Sequence, residues 1–173
     1  MTTLGIDVGF AALGWCVFDD ADRLVSLGTI VTVPFAGESA SDGLMRRSRE
    51  IAREIRLRCA VHRPHAIVME AVSWPRSGSV IGKMGAAYGA VGAAIGCEAP
   101  TVLVRHISPQ QVRKALGLAK GADKDALWTA VREHPGCERL DQLLMGVRTK
   151  ALRQHPIDAC AVVLASRALA LQC

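Results

Sequence analysis

Aromatic side chains are scarce in this 173-residue chain, which has three Phe, three Trp and one Tyr. That scarcity excludes a core stacked on rings and leaves one built from Ala, Val, Leu and Ile, since half of all residues are hydrophobic. The six cysteines, Cys16, Cys59, Cys97, Cys137, Cys160 and Cys173, lie far apart with no C-x-x-C among them. This excludes a zinc ribbon or finger and predicts reduced thiols. Internal repeats and low-complexity tracts are lacking, so long disordered segments are not expected. No signal-peptide-like stretch precedes Leu4, and the most apolar C-terminal run is broken by Arg167. The expectation is a soluble, cytoplasmic protein with no membrane partner.

What is present is a modest excess of positive charge, 21 Lys and Arg against 16 Asp and Glu, for a net charge of +5. That balance favours an anionic partner such as nucleic acid. The length predicts one domain over 1–173, large enough to bury roughly 70% of its unfolded surface.

Residues 3–8, 13–18 and 23–31 read as three short strands of an antiparallel meander. Leu44, Ser48, Ile51, Ile55 and Cys59 form one helical stripe within 42–62, opposite an arginine-rich face predicted to be solvated. "HAIVME" (65–70) and "TVLVRHI" (101–107) read as buried strands, with a helix over 79–96 between them. Ser108-Pro109-Gln110-Gln111 has the capping-box pattern with Pro at the first helical position. A helix over 123–133 and a short helical piece within 134–154 follow, and Pro156 is expected to open a final, nearly all-apolar helix. The fold class implied is α/β: a mixed sheet, three antiparallel strands and then parallel ones, with helices on both faces.

Three acidic residues interrupt apolar sequence at the ends of elements: Asp7, Glu70 and Asp158. A carboxylate on a buried strand is costly unless a turn exposes it or a cation meets it. Taken singly, Asp7 reads equally as a turn former, Glu70 as a solvated strand end, and Asp158 as a first-turn acid with His155 as a poor cap. Taken together, strands one and four can be neighbours, and His155 shares a helix face with Asp158 at i+3 spacing. Such a set suits Mg²⁺, and an imidazole also tolerates Mn²⁺. A pair of such ions is the usual apparatus for in-line phosphodiester hydrolysis.

The order of motifs resembles the RuvC-type Holliday-junction resolvases, of the ribonuclease H-like fold. "GIDVG" is similar to that family's first-strand motif, "IVME" to its second-carboxylate strand, "KMGAAYG" (83–89) to its glycine helix and "HPIDACAVVLA" to its C-terminal helix. The resemblance implies a five-stranded sheet, with Asp7, Glu70, His155 and Asp158 as the catalytic and metal-binding set for two Mg²⁺ ions, Mn²⁺ being tolerated. It implies four-way junction DNA as substrate, with symmetric nicks in strands of like polarity. A homodimer would form through the glycine helix at Lys83, Gly85, Tyr88, Gly89 and Gly92, and a branch-migration motor would be a partner. Lys124 and Arg113 match basic positions of the family, and with Lys114 and Lys120 they bracket "GLAKGADK" as a DNA-binding patch. Two positions depart from the pattern. His155 stands where many members carry Asp, and Ser73 where many carry an aromatic that stacks on a base, although Trp74 lies beside it.

Three other classes share part of this pattern. An actin-like kinase shares Gly-Ile-Asp-x-Gly but needs two such domains. A ribonuclease H acting on RNA–DNA hybrids, or a nuclease for other branched DNA, shares the chemistry, and the "HPID" helix argues against the former. A non-catalytic DNA-binding module would have no use for all three carboxylates.

Overall fold

Side-chain alternation along the strands sets the whole arrangement. In β1 (Thr3–Asp7), Leu4 and Ile6 point to one side of the sheet, Gly5 and Asp7 to the other. β2 (Ala12–Phe18) and β3 (Leu24–Val31) continue β1 as an antiparallel meander, and β4 (Ala66–Glu70) and β5 (Leu103–Ile107) add in parallel on its other edge. The order is β3-β2-β1-β4-β5. The computed structural model describes residues 2–72 and 77–171.

One face of the sheet is covered by α1 (Ala40–His62) and α2 (Gly78–Glu98). Leu4, Ile6, Leu13, Val17, Ile67 and Met69 meet Ile51, Ile55, Ala87 and Val91 there. Fully burying a branched aliphatic contributes about 1.5–3 kcal/mol, so this layer is a principal source of stability. The other face carries α3 (Pro109–Ala115), α4 (Lys124–Arg132), α5 (Leu140–Leu144) and α6 (Lys150–Ala170). Here α6 lies directly on the strands, and Gly5 makes room for it. A Cβ at Gly5 would sit 2.6 Å from Ala159 O and from Val163 Cγ2.

Helix starts follow local chemistry. Ser39 Oγ accepts from the Asp42 N–H to begin α1, and Ser108 and Gln111 form the reciprocal capping box of α3. Asp123 Oδ1 accepts from the Ala126 N–H at 2.8 Å to begin α4.

Two expectations are corrected. β5 is not a buried strand: Leu103 to His106 are exposed and only Ile107 is buried, because β5 is the sheet's edge. Pro156 does not open the last helix either. α6 starts six residues earlier at Lys150, capped by Thr149, and carries Pro156 inside it. His155 and Asp158 therefore sit within the helix rather than at its start.

α2 also has the length and apolarity of a membrane-crossing helix, and only 22% of that stretch is buried. Its inner strip, Ala87, Val91, Ala94 and Ile95, is tied into the protein core.

Candidate active site

β1 and β4 run parallel and adjacent, with Ile6 opposite Met69. One residue further, both strands end in a carboxylate, Asp7 and Glu70. α6 crosses the same end of the sheet and brings Asp158 beside them, while His155 Nδ1 lies 2.9 Å from Asp7 Oδ2. In the tautomer with the ring proton on Nδ1, that N–H donates to the Asp7 carboxylate and Nε2 is the unprotonated nitrogen.

The electrostatics are strained in one direction. Burial, then the charges of Asp7 and Asp158, push Glu70 up to about 7, and burial, then Asp7, pushes Asp158 up to about 6. Tyr88 rises to about 12 through burial, then through the charges of Glu70 and Asp7. Partial relief comes from Lys124, whose Nζ lies 3.9 Å from Asp158 Oδ2, and from Arg113.

Two clefts meet at Glu70. One, about 180 Å³, is lined by Asp158, Arg113, Asp123, Lys124 and Leu127 as well as Glu70. The other, about 170 Å³, is lined by Asp7, Glu70, Met84 and Tyr88.

The four sequence-chosen residues thus come together at one place. Arg113 and Lys124 reach the cleft, and Arg113 is held by the carbonyls of Ala122 and Pro109. Lys114 and Lys120 are exposed and do not line it. Ser73 and Trp74 lie outside the described residues. On α2, Lys83, Gly85, Gly89 and Gly92 are exposed, and a Cβ at any of these three glycines would meet nothing in the protein. Tyr88 differs from them: it is half-buried, and its hydroxyl donates to Glu70 O at 2.7 Å. Sequence reading missed Gln154, whose Nε2 donates to Asp158 Oδ1 at 2.8 Å. Its i,i+4 spacing to Asp158 was the available signal.

The donor set fits a hard divalent cation: three carboxylates and an imidazole lie near one another at the sheet's end, where burial, and then mutual repulsion, raises two of the acids. The cluster is open rather than caged: among the described residues, no three acidic, His or Cys side chains already converge as a metal-ligand group. Ligands from water and from a phosphate suit such a partial shell.

A five-stranded sheet of this order, with helices on both faces and acids at the ends of β1 and β4, places the chain in the ribonuclease H-like class. No protein-family model matches it. A curated relative, the crossover junction endodeoxyribonuclease RuvC of Synechococcus sp. (strain RCC307), is 28% identical over 131 residues, 76% of this chain and 82% of that protein. Thermus thermophilus RuvC in complex with a Holliday junction substrate superposes with a TM-score of 0.72 at 26% identity, over 99% of this chain and 96% of the other. The yeast mitochondrial Holliday junction resolvase Ydc2 shares the fold, with a TM-score of 0.66 at 13% identity over 98% and 79%. In sequence and in fold, the chain is similar to these RuvC proteins.

Proposed function

We propose that this chain is a divalent-metal-dependent endonuclease that resolves four-way DNA junctions. The observation that carries the reading is the meeting of Asp7, Glu70 and Asp158 from three separate elements, with His155 against Asp7 and the cations Lys124 and Arg113 at the mouth. The names of its relatives supply the substrate, a Holliday junction.

Asp7, Glu70, Asp158 and His155 would hold the metal ions, two Mg²⁺ by the resemblance. Such ions, when bound, stabilise the attacking and leaving oxygens of phosphodiester hydrolysis. The chain's own groups do the rest. Lys124 and Arg113 bind the phosphate and offset its charge. Gln154 fixes the Asp158 carboxylate, and Tyr88 fixes the end of β4. His155 either ligates through Nε2 or takes the proton of the attacking water there, and both roles need the neutral ring.

The open face of α2 supports a homodimer. Each glycine in a helix interior costs up to about 1 kcal/mol against Ala, and no close approach within this protein compensates at Gly85, Gly89 or Gly92. A second copy packed backbone to backbone would, and a two-fold dimer matches the two symmetric strands of a junction. Residues 1–173 would act as one domain at cytoplasmic DNA.

The test is cleavage of labelled junction, RNA–DNA hybrid and linear duplex with Mg²⁺ or Mn²⁺. Paired nicks in the junction alone are expected. Preference for the hybrid would replace the reading by a ribonuclease H, and junction binding without cleavage would replace it by a binding module.

A further inference from the structure

Pro156 has no N–H to return to the Leu152 carbonyl four residues back, and its ring crowds that oxygen away from the helix axis. The carbonyl is taken up from outside the helix: Thr29 Oγ1, on β3, donates to Leu152 O at 2.8 Å. Thr29 pairs with Gly14 on β2, and Gly14 with Asp7 on β1, so the three form one row across the sheet. The turn of α6 that contains Pro156 lies across that row. A Cβ on Gly14 would fall 2.1 Å from both the carbonyl carbon and the oxygen of His155 and 2.5 Å from Pro156 N. These are backbone atoms, so nothing flexible can yield.

We infer that Thr29 and Gly14 are positioning residues for the active site: they seat the Pro156-containing turn of α6 on the sheet and so fix His155 at its approach to Asp7. Thr29 holds the freed carbonyl, and Gly14 sets how closely the helix can lie. The activity arm of the test rests on the nuclease reading; the spectroscopic arm does not.

Thr29→Val keeps the shape of the side chain and removes the donor. It is expected to lower kcat on junctions about tenfold, since misplacement by about 1 Å can cost a hundredfold, with junction affinity within about twofold of wild type. In the metal-free protein the ¹⁵N resonance of His155 Nδ1, assigned with His155→Gln, should move as the bond to Asp7 loosens. Thr29→Ser should restore both rate and resonance. Pro156→Ala supplies the missing N–H, so in that background Thr29→Val should change kcat by less than about twofold.

Equal losses in the two backgrounds would overturn the inference, as would a Thr29→Val protein with wild-type rate and resonance. If Thr29→Val does not fold, the double variant decides. A soluble double variant with the Pro156→Ala resonance supports the clamp, and an insoluble one refutes it. Should wild type cleave no junction, the nuclease reading falls while the His155 resonance still judges the clamp.

Discussion

Replacing Asp158 by Asn should stabilise the metal-free protein while destroying its activity. The Asp158 carboxyl is pushed up from 3.8 to about 6, chiefly by burial and then by Asp7. Its ionised form is therefore less stable in the fold than in the unfolded chain. At roughly 1.4 kcal/mol per pH unit the penalty is about 3 kcal/mol, and about 2 kcal/mol once solvent at the cleft mouth is considered. Asn keeps an oxygen for the Gln154 amide, and the ion pair it forfeits is with a Lys124 side chain that is 71% exposed, which is worth little. With roughly 2–4 °C per kcal/mol for a chain of this size, Asp158→Asn should melt about 4–8 °C above wild type at pH 7.5. Because the folded pKa is the raised one, wild type holds this stability below 3.8 and loses it as pH rises through 6. The gap should therefore shrink to about 1–2 °C at pH 4. Mg²⁺ at about 100 times its Kd would return about 2.7 kcal/mol to wild type and less to the variant. Calorimetry with and without Mg²⁺ at the two pH values is the assay. Equal melting at pH 7.5, or a gap that is the same at pH 4, would refute the reasoning.

Other outcomes follow from the same geometry. Asp7→Asn should abolish junction cleavage but leave binding, read by gel shift, nearly intact, because Lys and Arg contacts to phosphate supply the affinity and its steep salt dependence. His155→Ala should lose most activity and His155→Asp keep a substantial part, measured as single-turnover rates; an unimpaired His155→Ala would reduce the site to three acids. Apparent affinity for Mg²⁺, followed by titration calorimetry, should strengthen from pH 5.5 to 7.5 as Asp158 and then Glu70 release their protons, and a flat profile would contradict the raised values. Gly89→Leu should leave the fold intact, since its Cβ meets nothing, yet shift sedimentation from dimer towards monomer.

Much of this arrangement was legible in the sequence because it is written in short-range chemistry. The meander, the capping box at Ser108 and the stripe of α1 depend on residues a few positions apart. Asp7 and Glu70 stood out because each closes an apolar run. The start of α6 was not legible: proline at a first helical position is the commoner case, and what allows Pro156 inside the helix is a hydroxyl 123 residues away in sequence. Likewise, "TVLV" reads as buried on its own, and only the strand order makes β5 an edge. Tyr88 was legible only as part of the glycine-helix motif; its bond to the Glu70 carbonyl left no signal, since it needs β4 and α2 already in place.

Glu70 stands in the shared wall of the two clefts at the sheet's end, with Lys124 and Arg113 on one side and Tyr88 and Met84 on the other. A side chain of different size or charge at this one position would therefore alter the lining of both clefts at once.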